Sequence, residues 1–212
     1  MFQFSRIVQN TKQTNKEELL EFMSKLDSFM DGELTLVALG GTALTLLDLK
    51  DSTRDIDLIL PTNKNYLMLN DLFTRLNFQE ASKNRWISNE GIIIDIHRED
   101  YIINVKLLQP SVEKSDLIKQ FTNITLKTLN LYDICITKID RGDKRDFDDI
   151  KVILKNTKIS LKVLIRRFII TMDQSESDNP KYKLLEFVKF VESLGLKVDK
   201  DDKEKVRQWQ RM

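Results

Sequence analysis

The stretch LVALGGTALTLLDLKDSTRDIDLIL, residues 36–60, constrains this chain more than any other. Leu34–Leu39 is a short β-prone run that two adjacent glycines, Gly40 and Gly41, cut off. TALTLLDL after them can form a helix, and Asp55–Leu60 is a second apolar strand closed by Pro61. Asp55 and Asp57 stand two apart on that strand, so both side chains leave the same face while Ile56 and Leu58 turn to the core. Two carboxylates on one edge offer the hard oxygen ligands that suit Mg²⁺. The glycine pair lets backbone approach a ligand closely, and the amides opening the helix at Thr42 and Ala43 present its positive end, a seat for phosphate. Each part has a plainer reading as well. A Gly-Gly pair commonly makes only a tight turn, and Asp-x-Asp on a strand is commonly the solvated face of an edge.

Around this stretch the periodicities predict a mixed architecture. Thr14-x-x-Glu17 is a capping-box pattern followed by apolar residues at three- and four-residue intervals, which predicts a helix over 14–31 ended by Gly32. Residues 64–77 repeat the helical pattern. Arg85-Trp86-Ile87 and Ile92–Ile96 flank Asn89-Glu90-Gly91, a hairpin signal. A polar helix is expected near Val112–Gln120, and the alternating FTNITLKTL after it reads as a surface-facing strand or hairpin arm. Beyond Leu131 the pattern is helical, near 131–140, 144–156, 160–172, 181–195 and 200–210. The expectation is therefore an α/β (α+β) part over residues 1–130 and a helical C-terminal part over 131–212, with QSESDNP (174–180) as a flexible connection.

Charge and composition narrow the function classes. Lys and Arg (34) nearly balance Asp and Glu (33), so there is no general attraction to nucleic acid or anionic membrane, and any polyanion site must be local. The longest charge-free apolar run, Leu34–Leu47, is shorter than the roughly 18 residues of a membrane span. MFQFSRIVQNTKQTNKEE lacks the apolar core of a secretory signal, and Cys135, the only cysteine, cannot form an intrachain disulfide, so a cytoplasmic protein is the simplest expectation. Within LYDICITKI, Cys135 reads as a buried inert thiol rather than a nucleophile.

Joined in this order, with 13 residues between Gly41 and Asp55, the glycine pair and Asp55-x-Asp57 resemble the signature of the nucleotidyltransferase (polymerase-beta-like) superfamily. The resemblance implies a small mixed β-sheet flanked by helices, and a third carboxylate on a later strand. Asp95, the acidic residue in the β-branched run IIIDIH, is the natural candidate, with a strand-end residue as its plainer alternative; a buried charge there would be costly unless paired or bound to metal. His97 lies two further on and on the same face, where a surface or satisfied-core role is the default over phosphate binding.

In LYDICITKIDRGDKRDFDDIKVIL, residues 131–154, Lys138 followed by Arg145-Asp146 and Asp149 resembles the later motifs of AbiEii-type and MenT toxin nucleotidyltransferases, although eight positions from Lys138 to Asp146 is more compact than in the longer AbiEii-type proteins. Asp143 or Asp146 could equally cap the next helix, and Lys138 could be solvated. The resemblance implies Mg²⁺ (or Mn²⁺) on Asp55, Asp57 and Asp95, an NTP such as ATP whose phosphates meet Gly40, Gly41 and Thr42, and positive charge from Lys138 and Arg145, with Asp146 orienting one of them. It further implies a tRNA, other RNA or protein acceptor and a cognate antitoxin. Lys and Arg are dense from Lys138 to Arg167, where helical spacing either gathers them beside the site or leaves a solvated face. A small-molecule transferase of the antibiotic-resistance kind and a non-catalytic nucleotide-binding relative stay open as alternatives.

Overall fold

The computed structural model describes residues 13–108 and 110–211. The reading of the first twelve residues as lacking a signal lies outside them. The chain runs β1 (Thr14–Asn15), α1 (Lys16–Asp27), β2 (Leu34–Ala38), α2 (Gly40–Leu46), β3 (Ser52–Thr53), β4 (Asp55–Leu60) and α3 (Asn63–Arg75). It continues through β5 (Gln79–Ser82), β6 (Arg85–Ile87), β7 (Ile93–Arg98), β8 (Tyr101–Ile102), β9 (Val105–Lys106), β10 (Asp116–Gln120) and β11 (Ile124–Thr128). Five helices close it: α4 (Leu131–Arg141), α5 (Lys144–Asn156), α6 (Leu161–Met172), α7 (Pro180–Ser193) and α8 (Lys200–Arg211).

The main sheet is mixed, in the order β10-β11-β2-β4-β7-β6-β5, with β8 and β9 continuing from β7. β11 runs parallel to β2 and β4 parallel to β7, while β2 and β4 are antiparallel. Its central strands carry the core: Leu36, Ile56, Leu58, Ile94 and Leu126 are buried, as central strands covered by helices require. Phe73 of α3 packs on Phe78 and Trp86. On the helical side, α4 packs against α5, α6 and α7, and Trp209 of α8 meets Phe168 of α6 edge-on. No helix among the described residues is long and apolar enough to cross a membrane.

Three expectations change. The cap of α1 is Asn15 with Glu18, each side chain bonding the other's amide, because Thr14 is taken into β1 opposite Thr53. Residues 116–120, expected to be helical, form β10, an edge strand paired antiparallel with β11. Their hairpin turn is fixed by the buried Asp27 carboxylate, which accepts the amides of Thr122, Asn123 and Ile124 at 3.3, 2.7 and 2.7 Å. No local pattern could announce that long-range anchor. Residues 174–180 are likewise tethered rather than free: the Glu176 amide donates to the Asn104 carbonyl (3.0 Å), and Gln174 Nε2 donates to the carbonyls of Lys106 and Leu107 (3.1 Å each).

Candidate active site

The glycine turn and the Asp-x-Asp strand are pressed together. Gly40 has φ +58°, in the left-handed region, and a Cβ there would stand 2.8 Å from Asp57 Oδ2. Glycine therefore satisfies both the backbone conformation and the close approach of a carboxylate. Thr42 is fully buried; its hydroxyl donates to the Asp55 carbonyl (3.1 Å) and accepts from the Asp57 amide (2.9 Å). Its side chain is thus committed to the strand rather than free for a phosphate.

The parallel pairing of β4 and β7 sets Asp57 opposite Asp95, with Asp55 two residues back on the same face. Burial raises the pKa of Asp55, and the charge of Asp95 adds to it. Asp57 is pushed up to about 7, by burial first and then by Asp95 and Asp55. Crowded oxygen donors whose ionisation is opposed by burial and by one another fit a divalent cation in charge and chemistry. Among the described residues, no three Asp, Glu, His or Cys side chains are gathered into a ligand cage. Asp95 is held instead by Arg85, whose Nε and Nη2 each lie 2.7 Å from its carboxylate. His97, on the same strand, has its pKa lowered by burial against the opposing charge of Asp95.

The resemblance-derived cations divide into buried and exposed. Lys138 is 2% exposed and donates to Asp149 (2.6 Å) and Asp146 (3.4 Å), so its ammonium is enclosed by protein. Asp149 also accepts from Lys50 (3.0 Å), and Asp146 accepts from Arg141 Nε (2.7 Å) while capping α5 through the Asp143 amide (3.3 Å). Burial opposes ionisation of Asp146, but Arg141 and Lys138 outweigh it and hold the pKa low. A charge chain Lys50–Asp149–Lys138–Asp146–Arg141 thus ties the residues after α2 to α4 and α5. Arg145 is exposed.

Except for the buried Thr42, these groups border one open cleft of ≈ 1300 Å³, with the glycine turn and the three carboxylates on one side and Lys138, Arg141 and Arg145 on the other. Beyond Arg145, the basic residues up to Arg167 do not line it, and Arg167 is spent on buried Asp133. Cations that sequence reasoning missed take their place: Lys50, Arg54, Arg85 and Arg98. Arg85 was legible in principle, since a hairpin centred on Glu90 sets it opposite Asp95. Cys135 lies outside the cleft lining, its thiol pushed up to about 12 by burial.

No curated protein matches the chain. A crystal structure from Thermotoga maritima, provisionally described as a nucleotidyltransferase, superposes with a TM-score of 0.44 at 13% identity, covering 70% of this chain and 99% of its own. The family described as "Nucleotidyltransferase of unknown function (DUF6036)" matches residues 16–194. With most of its length matched, the chain belongs to that nucleotidyltransferase family.

Proposed function

We propose that the protein transfers a nucleoside monophosphate from an NTP to an acceptor hydroxyl. The observation that carries this reading is the contact of the Gly40–Gly41 turn with Asp57, beside Asp95 in register on the parallel strand. Asp55 and Asp57 would hold Mg²⁺, with Asp95 as the third carboxylate. When bound, the ion supplies charge neutralisation and polarisation of the phosphate. The acceptor oxygen bonds to the α-phosphorus, the bond to pyrophosphate breaks, and the acceptor proton passes to Asp95. The backbone amides of Gly40 and Gly41 meet the outer phosphates, and Arg141 and Arg145 face them as exposed cations. Lys138 acts through Asp146 and Asp149, keeping Arg141 and Lys50 in position.

For the acceptor we favour RNA, tRNA above all, in keeping with the resemblance to AbiEii- and MenT-type toxins, with an antitoxin protein as the matching partner. Arg54, Arg98 and Arg145 at the cleft support a polyanionic acceptor. The test is incubation of the purified protein with Mg²⁺, each α-³²P-labelled NTP and total RNA or cell extract, beside Asp55→Ala/Asp57→Ala. A labelled tRNA-sized band absent from the control is the expected result. A labelled protein band keeps the chemistry and replaces the acceptor, whereas no label from any NTP, with small-molecule acceptors included, refutes the activity.

A further inference from the structure

The carboxylate cluster already contains a cation of its own. Arg85 makes two parallel bonds to Asp95, the fork geometry in which guanidinium binds carboxylate best. The two strands set them directly opposite each other, so the pair is built into the hairpin. The Arg85 side chain is 47% exposed toward the cleft, whereas Asp95 is 20% exposed. The guanidinium can therefore leave into the cleft, while the carboxylate is anchored on an inner strand. Asp55 and Asp57 also lie close enough for their charges to act on Arg85.

We propose that Arg85 is a resident counter-ion that occupies Asp95 while the cleft is empty, competes with the divalent ion for that carboxylate, and transfers its guanidinium to the NTP phosphates when metal and nucleotide enter. The inference rests on the nucleotidyl-transfer reading of the cleft and names a phosphate-positioning residue that reading did not contain. A divalent ion near Asp55 and Asp57 repels the guanidinium from Asp95, and a triphosphate offers it a more highly charged partner within the same cleft. Metal and nucleotide therefore assist each other's binding, because the ion frees the guanidinium for the phosphates and the phosphates draw it off the carboxylate that the ion needs.

The test needs no turnover. Mn²⁺ binding is followed by electron paramagnetic resonance on the full chain, with and without a non-hydrolysable NTP analogue, for wild type, Arg85→Ala and Arg85→Lys. Without nucleotide, Arg85→Ala should bind Mn²⁺ about tenfold more tightly than wild type, since an ionic partner of Asp95 is gone. Its affinity for the analogue should fall about tenfold, and the mutual tightening should disappear. Arg85→Lys, which keeps the charge but not the fork, should fall between the two and guards against a folding defect in Arg85→Ala. Unchanged or weaker Mn²⁺ binding in both variants overturns the proposal and leaves Arg85 as a structural partner of Asp95. Wild-type protein that binds no Mn²⁺ even with nucleotide overturns the reading of the cleft itself, and this proposal with it.

Discussion

Replacing Asp57 with asparagine tests whether the carboxylates are held in a state that asks for a cation. Burial and two neighbouring carboxylates lift Asp57 from the ordinary 3.8 to about 7. That difference corresponds to at most about 4 kcal/mol between the protonation states, and water in the open cleft reduces it to about 1–2 kcal/mol. The sign follows from the direction of the shift. A carboxyl whose folded pKa lies above its unfolded value destabilises the fold as pH rises from about 4, and the full cost is reached above about 7. Metal-free Asp57→Asn should therefore be more stable than wild type at pH 8 by about 1–2 kcal/mol in urea unfolding, and equal to it near pH 4. Metal binding requires the ionised form, so wild-type Mn²⁺ affinity should fall about tenfold for each pH unit below about 7 and level off above it. Asparagine should weaken Mn²⁺ by about a hundredfold or more at pH 8 and flatten that slope, a loss of about 3 kcal/mol or more for a charged ligand. Wild-type affinity that is flat from pH 5.5 to 8, with no stability gain in Asp57→Asn, would refute the electrostatic reasoning.

Other perturbations reach different parts of the site. Gly40→Ala places a methyl 2.8 Å from Asp57 Oδ2 at φ +58° and should cost about 1–3 kcal/mol in thermal unfolding while abolishing Mn²⁺ binding. Lys138→Met leaves buried Asp146 and partly buried Asp149 without their shared ammonium and should destabilise by about 2–4 kcal/mol in urea, although Arg141 and Lys50 retain their bonds to Asp146 and Asp149. A loss below about 0.5 kcal/mol, the scale of an exposed pair, would contradict the burial of that lysine. Cys135 should resist a thiol-reactive disulfide reagent at pH 8 in the native protein and react once urea unfolds it.

The legible features of the sequence were local ones. Apolar spacing placed the five C-terminal helices within a residue or two, and the strand–glycine–helix–strand order of 34–60 reappears with Asp55 and Asp57 on one face. What was not legible depends on contacts between residues far apart. β10 forms because β11 is available to pair with it and Asp27, about a hundred positions earlier, fastens their turn. Lys138 carries the same charge in a solvated or a buried setting, and only the packing of α4 on α5 with Asp149 beside it decides between them. Thr42 belongs to the glycine motif in sequence, yet its hydroxyl is absorbed by the strand.

That absorbed hydroxyl has a consequence for how a ligand is measured. Thr42 bonds both a carbonyl and an amide of β4, so the glycine turn and the strand that carries the carboxylates are tied into one piece. On the proposed nucleotidyl-transfer reading, the spacing between the phosphate seat and the cation seat would be set before either is filled, and little ordering would remain to oppose association. Thr42 would then make the two motifs a ruler, graduated for a phosphate chain with its ion attached.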